Sequence, residues 1–488
     1  MRKFLYYRLV FLFLFLLSFS CLFLGEGPLR YSTKSYSSLI PPDLLLEDSW
    51  YGVYFQDTFV GYSHFFMRVR DVKEGGGYVL KNSTNLKMPL LGRLESLNME
   101  MEARLGSNYS LKEGEFKLDS RKYFFVASLK KKIANTYSLT VKTPSQSVTK
   151  EITRDEEIIN PLFSPISLNY IPLKKKIFYT FYDPVLNRKT KVLLQNRGRM
   201  DIELDGQILE SYKVEMDVEG IKGVIFVDNH GRLLKEEFLG FTFIKEDTKK
   251  LFKHDYFTAG KDFITYFSIP AIDLPYKEKL KYLKVRIKGI SEDYIKEDFN
   301  QKLKIADNTY IVEINRKEPE QIKSLHPERT AFAKYLKEDE FVRFSDPLIR
   351  DTVNSIVGQE KAPLIIIEKI SNWMNENIKK VPSITIPNTL DVLKLKQGDC
   401  GELSALMAGF LRSLGIPAYV NIGIVYNEGR FFYHAWISAY VGEWIDTDPA
   451  LNQLIADPTH IKLLTGLENQ FELFKIISKI KMEILDYQ

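Results

Sequence analysis

Residues 396–417 read KQGDCGELSALMAGFLRSLGIP, and this stretch constrains the rest of the chain more than any other. Asp399 is a good N-cap and Glu402 stands three residues on, the spacing of a capping box. Leu403, Leu406, Met407, Phe410, Leu411 and Leu414 recur at helical spacing, so one face must be buried against a core. Gly415 suits the left-handed residue after a helix end, and Pro417 cannot continue the helix. The spacing predicts an amphipathic helix beginning at Cys400. At that position the open N–H groups and the helix dipole favour a thiolate, lowering the pKa below the ~8.5 of an ordinary thiol.

The 488-residue chain has two cysteines, Cys21 and Cys400. Cys21 lies in LVFLFLFLLSFSCLFL (9–24), an apolar run preceded by Arg2, Lys3 and Arg8. With Phe4–Tyr7 included, the run nears the ~20 residues that cross a bilayer, and the basic flank directs the following chain outward. A cleaved signal peptide remains open, since Ser18 and Ser20 make a small-x-small site. The expected location is therefore the cell membrane, single-pass, with the bulk periplasmic or extracellular, or secretion after cleavage. Cys21 is then in the membrane or removed. Cys400 has no partner for an internal disulfide, and an idle exposed thiol in an oxidising compartment is a liability.

Basic and acidic residues number 68 and 63, a net +5, and they interleave as in YKEKLKYLKVRIKGISEDYIKEDF (276–299). Such interleaving is a solvated surface; nucleic acid, which needs clustered unopposed positive charge, is not expected as a partner. After a tether over 25–48, WYGVYF, FVGYSHFFMRV and YVLKNSTNL alternate as strands divided by QDT and EGGG turns. Similar segments continue, so 49–265 reads as an antiparallel all-β domain, a curved sheet or sandwich whose aromatic residues supply cores and cross-strand pairs. Residues 266–345 read as a small β unit and connector, and 346–488 as a domain opened by helices in DPLIRDTVNSIVGQ and KAPLIIIEKISNWMNENIKK. The closing ENQFELFKIISKIKMEILDY fits helix or strand. His64, His230, His254 and His326 are scattered and His460 reads as structural, so no metal and no cofactor are expected.

A nucleophilic thiolate needs a base. Residues 418–453 read as three strands joined by NEG and VGE turns, with His434 on the same side as Trp436, Ser438 and Tyr440. A three-residue loop over Val441–Glu443 pairs Tyr440 with Trp444, Ser438 with Asp446 and Trp436 with Asp448. Asp448 is then the diagonal neighbour of His434, and Asp446 remains a competitor one step away. Trp436 reads equally as core packing or as a shield from water.

The blocks QGDCGE, LRSLGIPA, YHAW and WIDTDP, in that order, resemble the core of the transglutaminase-like superfamily, relatives of papain in fold logic. The resemblance spans about 345–465, including DPTHIKL (457–463). It implies an α+β fold, with a papain-like C-terminal core after the all-β domain and the N-terminal membrane helix. It also implies Cys400 as nucleophile, His434 as general base and Asp448 as orienting carboxylate. The Cys400 N–H and Gln397 are the candidate oxyanion donors, with Trp436 lining the site. The expected function is that of a membrane-anchored, exported bacterial enzyme. It would act on amide or peptide bonds of a protein or peptide substrate through a thioester, by hydrolysis or transamidation. The alternative is a non-catalytic cell-envelope binding or scaffold protein that works through its β domain.

Overall fold

The computed structural model describes residues 25–26 and 46–488, apart from 72, 74–75, 91–92, 108–110, 121–122, 134–135, 154–172, 175, 184–187, 255–261, 307–308, 321, 323–330, 382–387 and 477–478. The chain divides between Asp262 and Phe263 into two compact units.

The first unit is an antiparallel sheet of 15 strands. Two runs of neighbouring strands build it, one from Leu46–Phe55 to Ser147–Thr153 and one from Lys176–Asp183 to Phe241–Lys245, joined where Phe241–Lys245 pairs with Leu46–Phe55; the short Gly25–Glu26 strand adds an edge beside Lys176–Asp183. Alternation makes the strands: along Arg93–Leu105, Leu97, Met99, Met101, Ala103 and Leu105 are buried and the residues between them face outward. That is the two-residue period of a pleated strand with one face on a core. In the EGGG turn Gly77 has φ 83°, and a Cβ there would stand 2.0 Å from the Leu105 carbonyl oxygen.

Aromatic pairs do form across strands. Trp50 lies opposite His64 and stacks on it, with ring centroids 4.0 Å apart and 8° between planes. Tyr62 and Phe252 pack around Trp50 at 5.8 and 5.3 Å. On the same face the Tyr54 hydroxyl donates to Glu246 Oε1 at 2.5 Å, and His254 Nε2 lies 3.2 Å from Oε2. Gly52 opposite leaves room for that carboxylate; a Cβ would come within 2.8 Å of Oε2.

The expected membrane helix is corrected. Among the described residues no helix is long and apolar enough to cross a membrane. The 9–24 run on which that expectation rested lies outside the described residues. Single-pass anchoring, the membrane as a partner and the location built on them are therefore not retained.

In the second unit, helices Pro347–Val357, Pro363–Asn377, Thr389–Leu395 and Cys400–Ser413 accompany a sheet in the order Ile269–Pro270, Arg430–Tyr440, Ala418–Asn427, Ile461–Thr465, with Trp444–Thr447 also paired to Arg430–Tyr440. The Cys400–Ser413 helix packs on both central strands and on the three other helices. Every residue from Cys400 to Arg412 is buried, so the polar side of the predicted amphipathic helix is covered too. Glu402, Ser404 and Arg412 are buried in bonded positions, not solvated ones. A second sheet joins Gln301–Ala306, Thr309–Asn315 and Tyr282–Lys288 to Lys481–Tyr487. The ambiguous C-terminal stretch therefore resolves into 3₁₀ turns over Leu467–Lys475 followed by a strand. Its partner lies nearly two hundred residues upstream, beyond the reach of local periodicity.

Candidate functional site

Cys400 is the first residue of its helix and is 1% exposed. Asp399 caps it: the carboxylate accepts the Gly401 N–H at 3.0 Å, while Glu402 Oε2 accepts the Asp399 N–H at 2.9 Å. Gly415 takes φ 78° just past the helix end. Ser404 Oγ donates back to the Cys400 carbonyl at 2.6 Å. Cys400 forms no disulfide.

The hairpin has the three-residue loop. Tyr440 faces Trp444 and Ser438 faces Asp446, with the Val441 N–H donating to the Glu443 carbonyl at 2.8 Å. The strand ends at Thr447, and Asp448 instead bridges Gln453 through paired 2.9 Å backbone bonds. That turn aims the Asp448 carboxylate at two imidazoles. Oδ2 lies 2.7 Å from His434 Nε2 and 2.9 Å from His460 Nε2, while Oδ1 accepts the N–H groups of Ala450 and Leu451. Asp446 is engaged elsewhere, with Ser438 Oγ at 2.6 Å, Asn300 Nδ2 at 2.8 Å and Lys462 Nζ at 3.0 Å.

Electrostatics follow from this geometry. Burial alone would raise the Asp448 carboxyl, but His434 and His460 outweigh it and hold it well below the usual range. Burial alone would lower the His460 pKa; its bonds to Asp448 and Asp457 overcome that and push it up to about 10. His460 is thus an imidazolium at neutral pH, with Nδ1 donating to the Asp457 carbonyl at 2.9 Å and Nε2 donating to Asp448. Asp457 is likewise held low, His460 prevailing over burial. Burial pushes the nearby Lys380 ammonium down against the opposing Asp448 charge. His434 Nδ1 is buried and makes no hydrogen bond among the described residues.

The structure therefore brings His434 and Asp448 together, and it adds His460, which sequence reasoning set aside as structural. The readable signal was the DPTH run. Asp457 Oδ1 accepts the Thr459 N–H at 2.9 Å, an Asx-type turn that aims the histidine inward. Trp436 is fully buried, its ring 6.2 Å from His434 and 5.1 Å from His460. Gln397 lies in the short Gln397–Gly398 strand, half-buried and paired with Lys379.

Among the described residues, the cluster whose ligating atoms all lie within 4.8 Å of one another is His434, Asp448 and His460. The sequence had placed Cys400 in that company. The expected Cys-His-Asp cysteine enzyme, with its protein or peptide substrate, is corrected on this point: the assembled group is His-Asp-His. The same trio could hold a metal ion, a capacity the sequence reading did not assign. It would first have to remove the proton from His460.

Residues 350–449 match the family model described as transglutaminase-like superfamily. That stretch is distantly transglutaminase-like. It covers the helix bearing Cys400, both strands of the His434 hairpin and Asp448, and it ends before His460. No curated protein matches the chain. Among solved structures, the periplasmic domain of TgpA from Pseudomonas aeruginosa bound to ethylmercury is 17% identical at a TM-score of 0.27, over 36% of this chain and 76% of that one. A β-barrel-like protein of a domain of unknown function from Brucella abortus is 8% identical at a TM-score of 0.32, over 42% of this chain and 95% of that one. Neither likeness carries an argument about function.

Proposed function

We propose that the chain is a non-catalytic binding or scaffold protein of the cell envelope that works through its β unit, its transglutaminase-like unit serving as a folded body and not as a reaction centre. Cys400, His434 and Asp448, with Gln397 and Trp436 beside them, are proposed as the residues of that unit's polar centre. The observation that carries the reading is the make-up of this centre: two histidines share one aspartate, and all three are buried. A carboxylate that holds two imidazoles and two backbone N–H groups is committed to architecture.

The β unit supplies a surface suited to binding. Phe252 is 59% exposed and packs on Trp50 and Tyr62, whose rings are only partly covered. Large aromatic side chains held rigid at a surface are the residue types that anchor interfaces.

The test has two arms on the full chain. Iodoacetamide at pH 7 is expected to leave Cys400 unmodified in the folded protein, read by intact mass. Phe252→Ser is expected to abolish retention of a partner from envelope extracts without changing the folded state. Carboxymethylation of folded Cys400 faster than that of free cysteine, or an acyl adduct on Cys400 with any envelope peptide, refutes the proposal.

A further inference from the structure

The second unit contains a cavity of about 690 Å³ at the end of the Cys400–Ser413 helix remote from the thiol. Arg412 on its wall is twelve residues from Cys400, about 18 Å along the helix. Tyr335 and Tyr419, with rings 5.2 Å apart, form an aromatic side.

The charged groups lining this cavity are unequally occupied. Asp298 Oδ2 already accepts from the Tyr419 hydroxyl at 2.9 Å and from Lys462 Nζ at 2.5 Å. Asp339 accepts the N–H groups of Phe341 and Val342 on Oδ1 and Arg412 Nη1 on Oδ2. Glu338 accepts the N–H groups of Phe344 and Ser345, and Glu297 that of Leu303. The remaining carboxyl, Glu468, is raised above its ordinary value, by desolvation first and by the Asp339 charge in addition.

Lys462 is paired with Asp298 and Asp446, but the other lysines of the lining are far less committed. Lys296 and Lys337 have no carboxylate partner among the described residues, and Lys334 meets only the Tyr335 ring, at 4.6 Å. Arg412 is built into the wall, its side chain 7% exposed. Its Nε donates to the Ala418 carbonyl at 3.0 Å and its Nη1 to the Lys337 carbonyl at 2.7 Å and to Asp339 at 3.1 Å. Its Nη2 makes no hydrogen bond among the described residues. A fixed guanidinium with an open edge, ringed by uncommitted ammonium groups, is an anion receptor.

We propose that this cavity binds an oligoanionic small molecule, one carrying two or more carboxylate or phosphate groups, with Arg412 as the fixed anchor and Lys296, Lys334 and Lys337 closing on it. The site is separate from the His434 centre and does not depend on what that centre does.

Calorimetric titration of the full chain tests it with two probes, citrate for carboxylates and inorganic pyrophosphate for phosphates. At least one is expected to bind saturably at one site, more weakly as salt rises. The combined variant Lys296→Gln, Lys334→Gln, Lys337→Gln changes only exposed side chains and should weaken that binding about tenfold. Lys132→Gln with Lys150→Gln, in the other unit, should leave it unchanged. Absence of saturable binding by both probes, or equal affinity in the triple variant, overturns the proposal.

Discussion

His460→Gln is the most informative single perturbation of the buried centre. The imidazolium links two buried carboxylates, and glutamine can replace a hydrogen bond but not the charge. Removing one partner of a buried ion pair costs roughly 3–5 kcal/mol, because the remaining charges stay desolvated. The pH dependence is the sharper signature. The folded pKa of about 10 lies above the unfolded value, so His460 contributes fully below pH ~6.5 and loses its contribution as pH rises through about 10. Between those limits stability should fall by about 1.4 kcal/mol per pH unit from this one group, to an upper bound of about 5 kcal/mol. Asp448 and Asp457 are held low, so their contributions are present above pH ~4 and vanish as pH falls through their folded values. Urea unfolding followed by tryptophan fluorescence, at steps from pH 6 to 9.5, reads this directly. Trp373, Trp436 and Trp444 report on the second unit and Trp50 on the first. Wild type should weaken with rising pH more steeply than His460→Gln, and the two curves should converge near pH 9.5. Parallel curves, or a variant as stable as wild type at pH 6.5, would refute the account of His460 as a charged bridge.

Other expectations follow from the packing. Gly423→Ala puts a Cβ 2.0 Å from the Ile461 carbonyl oxygen and 2.7 Å from the Trp436 ring. The strand pair must shift, so we expect a loss of 3 kcal/mol or more, measurable as a drop in the melting temperature of the second unit. Asp399→Ala removes the helix cap and should cost about 1–2 kcal/mol, read from the urea midpoint, with Asp399→Asn recovering most of it. Lys462→Met leaves Asp446 and Asp298 without their shared cation and should cost about 3–5 kcal/mol. Adding Asp446→Leu should recover part of that loss, and failure to recover any would show that the pair is not coupled. Gly52→Ala should displace Glu246 from beneath Tyr54, visible as faster hydrogen exchange over 246–252.

Local signals and turn chemistry made part of this molecule legible in its sequence. The Asp399–Glu402 cap, the Gly415 stop and the Val441–Glu443 loop all depend on residues within a few positions of each other, and each occurs where the pattern put it. Loop length pointed to Asp448 over Asp446 beside His434, but the expected Trp436–Asp448 pair does not form: the ladder ends at Ile437–Thr447 and the Asp448–Gln453 turn delivers the carboxylate. What stayed hidden is non-local. His460 reaches the centre because the Asp448–Gln453 turn and the Asp457 turn fold two loops onto one carboxylate, a convergence no period encodes. The helix burial on all sides was equally unreadable, since Glu402 and Arg412 look like solvent residues until their partners are known. The Arg412 cavity draws on chain from 296 to 469, and none of its lysines forms a recognisable run.

Two buried polar groups organise the same corner of the second unit, and their placement shows why polar residues occupy a core that apolar ones could fill. Asp448 with His434 and His460 ties the central strand Arg430–Tyr440 to the loop leading into Ile461–Thr465. Asp446 with Lys462 and Asp298 ties the neighbouring hairpin strand to that same edge strand and to the 291–306 segment. Apolar side chains would pack at these points in several registers with similar energy. A carboxylate that must meet two cations or imidazoles accepts only one, because any slip strands a desolvated charge. Ile437 opposite Thr447 and Gly423 opposite Lys462 are then fixed by charge as much as by shape. Replacing the Asp446–Lys462 pair by leucine and methionine should accordingly raise or preserve stability relative to either single change while broadening the amide resonances of strand 418–427, and sharp, unchanged resonances would show that packing alone sets the register.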